Sequence, residues 1–195
     1  MSTKETPLLE GKDIILRPID PEKDYKQWYK VMKDPEMHKW TGNTVPKNPE
    51  ETKEMLQHYK ELDHIIAWSV ILKSTQEMIG TYWLAVPTTT EDGVVVTGDA
   101  QRIAKKYWRT GITSQVRKLT YDYAFSRLGV DEIHASAWKD NTNSCCSMEK
   151  AGFLLLGQRE RLFSKYEKVM TENFYSLRKK DWFNKENYLP ITIIM

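Results

Sequence analysis

One helix restricts the fold of this chain more than any other feature. The stretch YWRTGITSQVRKLTYDYAF, residues 107–125, read at 3.6 residues per turn from about residue 112, places Ile112, Val116, Leu119 and Tyr123 on one side. Lys118, Asp122 and Ser126 fall on the opposite side. An apolar stripe has to be buried against another layer, and the flanking stretches are rich in β-branched and aromatic residues, so this helix belongs on a sheet. Gly111 makes the turn into it. There Arg109, Thr110, Gly111, Ile112, Thr113 and Ser114 would aim successive backbone N–H groups out of the helix start, where roughly half a positive charge also gathers. Lys105, Lys106 and Arg109, with Arg117 one turn on, add cations, so the turn suits a phosphate. An ordinary strand-to-helix connection explains one glycine equally well.

The rest of the chain supplies the sheet. DIILRPID (13–20) reads as a strand with a proline stop, and PEKDYKQWYKVMKD (21–34) sets Tyr25, Trp28, Tyr29 and Met32 at helical spacing. NPEETKEMLQHYKEL (48–62) opens on an Asn-Pro entry signal and forms a second helix, with an exposed loop, HKWTGNTVPK, expected between the two. AWSVILK (67–73) and EMIGTYWLAV (77–86) form a hairpin around a polar turn, and GVVVTGDAQRI (93–103) is a strand that Gly98 interrupts as a bulge does. Beyond the first helix described come a strand at 130–138, a short helix at 140–152 ending in glycine, and strands at 153–163 and near 169–177. The order predicts one mixed α/β domain, with two early and two later helices against a long sheet. The apolar tail PITIIM is expected to cover an edge of that sheet, with a partner's surface as the alternative.

At 195 residues such a domain buries about 70% of its unfolded surface. Lys and Arg total 29 against 27 Asp and Glu, which argues against a dedicated nucleic-acid binder. No run of ~18 apolar residues is present for a membrane span, and no leader-like apolar run opens the chain. The two cysteines, Cys145 and Cys146, are adjacent and poorly placed for a disulfide, which points to a reducing, cytoplasmic setting. The four histidines, His38, His58, His64 and His134, show no metal-ligand spacing, so no metal is expected.

A second motif lies one strand after the first helix: WKDNTNSCCSMEKAGF, residues 138–153. YWRTGI, an amphipathic helix ending YAF, a strand, and N-x-x-S followed eight residues later by G-F together resemble the GNAT superfamily of acetyl-CoA-dependent N-acetyltransferases. The resemblance runs over residues 10–183 and is closest to the branch acetylating ribosomal-protein N-termini. It implies a single acetyltransferase domain, residues 1–195 with a core at about 10–183 and a tail at 184–195. The implied fold is a long, mostly antiparallel sheet splayed at the acetyl-CoA cleft and flanked by about four helices.

The same resemblance assigns residues. Backbone groups of Gln101, Arg102 and Ile103 would pair with the pantetheine arm. The pyrophosphate loop, usually Q/R-x-x-G-x-G/A, maps onto Lys106 to Gly111, with Arg109 standing where the first glycine is usual. That side chain either obstructs the phosphates or swings out and grips them. Asn141 is expected to hold the cofactor arm or a water, and Ser144 to serve the leaving thiolate, because the position of the family's usual tyrosine is Met148. The plain reading of Ser144 is a helix cap. Trp28, Trp40 and Trp83 are expected to wall the acceptor pocket between the first two helices, their loop and the central strands.

Acetyl transfer needs a neutral amine. At pH 7 a lysine amine, pKa about 10.4, costs ~4.6 kcal/mol to deprotonate, and an α-amine near 7.7 only ~1. Asp99, beside the bulge, is the first carboxylate candidate for base, with Glu132 and His134 behind it; a solvated turn aspartate is its plain reading. The expected partners are a small-molecule or peptide amine, with room for a homodimer and none for nucleic acid or membrane. A non-catalytic acyl-CoA sensor is the rival, suggested by Arg109 and Met148.

Overall fold

The structure, a computed structural model, describes residues 6–184 and the backbone of Ile193 and Ile194. Two short strands, β1 (Leu8–Glu10) and β2 (Ile14–Pro18), lead into α1 (Pro21–Met32). Asp20 caps α1 by accepting from the Lys23 N–H, and Pro21 fills a first-turn position where no N–H is needed. Asn48 and Pro49 repeat the device at α2 (Pro49–Glu61), with Asn48 Oδ1 accepting from the Glu51 N–H at 3.0 Å. Buried Asp24 anchors α1 to the strands below, accepting from Arg17 and, at 2.6 Å, from Ser69. The loop between the helices departs from the exposed segment expected. Pro35–His38 form a 3-10 turn, and Met37 and His38 are buried.

The hairpin follows as β3 (Ile65–Leu72) and β4 (Met78–Ala85), then the two-residue β5 (Thr88–Thr89) and β6 (Val95–Ile103). Next come α3 (Ile112–Arg127), β7 (Glu132–Trp138), α4 (Thr142–Ala151), β8 (Leu154–Phe163), β9 (Lys168–Arg178), α5 (Lys179–Phe183) and β10 (Ile193–Ile194). The strand order is β10-β1-β2-β3-β4-β6-β7-β9-β8, with β5 beside β6. Every pairing is antiparallel except β6 with β7.

β3 is buried along almost its whole length because both faces are covered. Ile65, Ala67 and Ile71 join Trp28, Met32 and Leu56 under α1 and α2. Ile66, Trp68 and Val70 join Val116, Leu119 and Phe125 under α3 and Met148 under α4. The helices on the two faces thus flank the middle strands, as the stripe on α3 requires.

Two details of this packing differ from the sequence reading. α5 is a fifth helix, absent from an expectation of about four; it lacks an apolar period of its own and is held by Trp182 and Phe183 against α3. Asp122, expected on the solvent side of α3, is wholly buried because α5 covers that side. Its carboxylate accepts from Trp182 Nε1 at 2.6 Å and from Lys118 at 2.9 Å. At the tail, β10 pairs with β1, Leu8 opposite Ile194, so the edge is covered as expected there; the remainder of PITIIM lies outside the described residues.

β6 changes partner partway along. Val96, Thr97 and Gly98 pair with Glu132, Ile133 and His134 of β7, and pairing to β7 ends there. From Asp99 to Ile103 the strand pairs only with β4. The β6 and β7 edges beyond Gly98 and His134 therefore diverge and leave a slot open between two strands of one sheet, with Gly98 at its apex; β6 itself runs unbroken from Val95 to Ile103, with no register shift at Gly98 where a bulge was expected.

Candidate active site

One end of the slot is the turn into α3. Lys105–Tyr107 make a 3-10 turn, Trp108 Nε1 donates to the Ile103 carbonyl at 2.7 Å, and Thr110 Oγ1 donates to the Tyr107 carbonyl at 2.7 Å. Arg109 (φ +63°) and Gly111 (φ +88°) are both left-handed. That conformation costs a side-chain-bearing residue roughly 1–2 kcal/mol, which is the physical reason a glycine suits position 109. The Arg109 side chain leaves the loop and donates from Nη2 to Asn143 Oδ1 of α4 at 3.0 Å. No side chain caps α3, so the first N–H groups, at Ile112, Thr113 and Ser114, have no partner inside the helix. Lys106 is exposed, with Glu77 at 3.8 Å. Arg117, expected near the phosphates, instead lies 5% exposed between α3 and α4, donating to the Ser147 carbonyl at 2.7 Å and Oγ at 2.8 Å.

The other lip carries α4. Asn141 is its cap, accepting from the Ser144 N–H at 3.4 Å. Ser144 is then an ordinary residue of the first turn, half-buried, and its hydroxyl has no hydrogen bond among the described residues. Met148 is a core residue with no proton to give. Both cysteines are free thiols, Cys145 buried and Cys146 exposed. Burial first, and then Cys145, push the Tyr175 hydroxyl up to about 12.

Asp99 points to the α3 face, the side shared by Ile103 on alternate positions of β6. Its Oδ2 accepts from Tyr82 Oη at 2.6 Å and from Tyr121 Oη at 2.7 Å. Both tyrosines are fully buried; burial and then the Asp99 charge push them well above the usual phenol range. Burial works against the charge of Arg117, but Tyr121, Asp99 and Tyr82 outweigh it and hold the guanidinium above its ordinary value. The group runs from β4 and β6 through α3 to Ser147 on α4, and so links the two lips of the slot.

Arg102 points to the α1–α2 face. The side-chain oxygen of Asn43, in the orientation that satisfies both groups, accepts from Arg102 Nη1 and Nη2 at 3.0 Å each. His38 Nε2–H donates to the Met32 carbonyl at 2.6 Å, and Lys165 from the β8–β9 turn donates to the His38 and Asn43 carbonyls at 2.6 and 2.9 Å. Trp40, beside Lys39 in the loop between α1 and α2, and Trp83, against the α1–α2 core, are both half-buried. Trp28 is wholly buried beneath α1, its indole N–H without a partner among the described residues, so it supplies core volume rather than an open wall. At the apex, opposite Gly98, His134 is 47% exposed with Nε2 3.0 Å from Glu132 Oε2, which also accepts from Ser176 Oγ at 2.9 Å. Hydrogen bonding from His134 holds the Glu132 carboxyl below its usual value, against the effect of burial.

Sequence reasoning did not single out Asn43, Tyr82, Tyr121 or Lys165. Each joins the site from a different segment, and no spacing in the chain signals it. Among the described residues no three His, Cys, Asp or Glu side chains cluster to hold a metal, and no helix is long and apolar enough to cross a membrane.

Residues 13–154 match the family model described as "Acetyltransferase (GNAT) domain". The uncharacterized N-acetyltransferase YoaA of Bacillus subtilis (strain 168) is 26% identical over 176 residues, covering 89% of this chain and 97% of its own. Two solved structures share the fold. Ribosomal-protein-S5-alanine acetyltransferase from Vibrio fischeri has a TM-score of 0.73 at 18% identity, covering 90% of this chain and 98% of its own. Spermidine N-acetyltransferase from Vibrio cholerae, solved with CoA and spermine, has 0.73 at 14%, covering 89% and 100%. With the matched model spanning most of the chain, including the slot, its glycine turn and α4, the protein belongs to the GNAT acetyltransferase family and is an acyltransferase.

Proposed function

We propose that the chain is a single acetyl-CoA-dependent N-acetyltransferase domain that acetylates a primary amine by direct attack within a ternary complex. The observation that carries this reading is the slot between β6 and β7, bounded by the Gly111 turn at one end and by Ser144 on the facing helix. Acetyl-CoA supplies the activated acetyl group. The β6 edge past Gly98 holds the pantetheine arm through the backbone of Gln101 and the Ile103 N–H, the Ile103 carbonyl being taken by Trp108 Nε1 and the Arg102 carbonyl facing Gly80 of β4, while Lys106, Arg109 and the N–H groups from Thr110 to Ser114 hold the pyrophosphate. Asn141 shapes the start of α4, and Ser144 Oγ, free of other bonds, donates to the departing sulfur.

The amine reaches the apex from the α1–α2 face, where Trp40 and Trp83 flank its approach. Asp99 faces the other way with Oδ2 already taken by two hydroxyls, so its role in this reading is to position the lips. His134 is the group that faces the amine. Donation from Nε2–H to Glu132 leaves Nδ1 as a lone pair able to take the ammonium proton. The bond to sulfur breaks as the bond to nitrogen forms; one proton goes to His134 and one to the thiolate.

Ser144 at the third place after Asn141, together with the likeness to the Vibrio fischeri enzyme, supports a protein N-terminus as acceptor. Free thiols at Cys145 and Cys146 support a cytoplasmic setting, and Leu154, Leu155, Leu156 and Leu162, half or more exposed on edge strand β8, support a homodimer. Calorimetry with acetyl-CoA and thiol release across an amine panel test the reading. No binding at millimolar cofactor would sink it; binding without turnover on any amine would favour the sensor that buried Met148 suggests.

A further inference from the structure

Two cations on the α1–α2 side of the slot, Arg102 and Lys165, form no ion pair among the described residues, although Asp34 and Glu36 lie near His38. Among the described residues neither Arg102 nor Lys165 has an acidic oxygen within 4 Å, whereas Glu172 is held by Arg159, Arg161 and Ser136. The Arg102 fork directs two N–H groups at a single neutral oxygen, that of Asn43. A carboxylate or phosphate would offer the same fork two oxygens and a full charge, a stronger match. Lys165 uses two hydrogens on the His38 and Asn43 carbonyls and has a third left over.

His38 marks the site as incomplete. Its side chain is buried, Nε2–H is committed to Met32, and Nδ1 has no partner among the described residues. Burial pushes its pKa below the ordinary imidazole value, against the Met32 carbonyl, and the charges of Arg102 and Lys165 push it further. An anion set between those two cations would offset them and let Nδ1 take a proton and donate. Beside it opens a cavity of about 500 Å³ lined by Pro35, Glu36, His38, Lys39, Thr44, Val45, Lys165 and Tyr166, with Arg102 outside that lining.

We propose that this site binds an anionic group, carboxylate or phosphate, carried by the acceptor amine, with Asn43 yielding the Arg102 fork to it. The proposal rests on the acetyltransferase reading above. Arg102 lies four positions along β6 from Gly98, roughly 13 Å at strand rise, so the anion and the amine stand on the order of 10 Å apart. A free α-amino acid is too short to span them, and a polyamine would be repelled.

The test uses pairs that differ only in the anion: 8-aminooctanoate against octylamine, the amidated peptide Ser-Glu-Glu against Ser-Gln-Gln, and glucosamine 6-phosphate against glucosamine. Thiol release from acetyl-CoA gives kcat/KM, and calorimetry in the presence of CoA gives Kd. In the wild type the anionic member of at least one pair is favoured about 10–100-fold, through KM, as expected for a bond to a charged group. In Arg102→Gln and in Lys165→Met that ratio falls toward one, while glycine is a poor acceptor throughout. The three pairs separate a carboxylate from a phosphate source. Equal use of both members in every pair, or a preference that survives both substitutions, overturns the proposal while leaving acetyl transfer intact. Acetylation of no amine, with acetyl-CoA unbound, would instead remove the acetyltransferase reading; absent any anion-dependent Kd, it would remove this proposal as well.

Discussion

Removing the two tyrosine hydroxyls that meet at Asp99 tests the link between the lips. Tyr82 and Tyr121 donate to the same Oδ2, at 2.6 and 2.7 Å, from different elements. A hydrogen bond to a charged group contributes about 1.5–3 kcal/mol. Asp99 is only half-buried, so when one donor is lost the other can shorten and water can reach the carboxylate. Tyr82→Phe and Tyr121→Phe should each cost about 1.5 kcal/mol, the low end of that range. The double variant leaves Oδ2 facing two apolar rings with no protein donor, so its loss should exceed the sum of the singles by about 1 kcal/mol. At roughly 2–4 °C per kcal/mol for a domain of this length, each single lowers Tm by about 3–6 °C. Urea unfolding, with m values checked for constancy, measures all three. Because the group reaches Ser147 beside the cofactor slot, Kd for acetyl-CoA should weaken in the same order. Singles that cost less than about 0.5 kcal/mol, or a double no worse than the larger single, would refute the idea that this carboxylate braces the slot.

Burial also controls titration. Tyr82, Tyr121 and Tyr175 have folded pKa values above the unfolded one, so their contribution is complete below about pH 10 and is lost as pH rises above it. Absorbance near 295 nm should show these three of the ten tyrosines ionising late, together with unfolding. Gly80→Ala places a methyl against the Arg102 carbonyl and the Ile103 side chain, on the strand that forms the cofactor edge. Urea unfolding should show a loss of about 1–3 kcal/mol, and calorimetry a weaker hold on acetyl-CoA. Arg109→Gly relieves left-handed strain but loosens the unfolded chain and loses the Asn143 bond, so stability should change by less than about 1 kcal/mol. Acetyl-CoA affinity should nonetheless fall roughly tenfold or more if the guanidinium meets phosphate; unchanged affinity would leave Arg109 a structural tie. His134→Gln should lower kcat by about 100-fold or more with KM and cofactor Kd little changed; an unaltered kcat would exclude it as base.

What was legible in the chain was whatever local rules decide. Asp20-Pro21 and Asn48-Pro49 fix two helix starts within a few residues of sequence, and Gly98 marks where β6 leaves β7, as a change of partner rather than the bulge its sequence suggested. Gly111 was legible for the same reason, since a left-handed residue before an amphipathic helix leaves a sequence mark. Trp28 shows the limit of periodicity: aromatic spacing on α1 identified an apolar face, but core and pocket wall leave the same pattern. Asp122 shows it again, because a polar residue opposite an apolar stripe reads as solvated until α5, a segment with no period of its own, covers it.

The site itself was legible only along single segments. Asp99 stood out for its place beside a glycine, yet its chemistry is decided by Tyr82, Tyr121 and Arg117, which arrive from β4 and α3. Strand alternation turns the same residue to the α3 face and leaves His134, one strand over opposite Gly98, half-exposed on the other. Arg102 makes the argument most fully. Its main chain pairs with β4 in the stretch that the motif singles out, while its side chain meets Asn43 and lies near His38 on the α1–α2 face. The backbone pattern of β6 and the contacts of its side chains thus belong to different surfaces, and only the first leaves a mark in the sequence. A charge change at Arg102 should accordingly alter which amine is used far more than how acetyl-CoA is held.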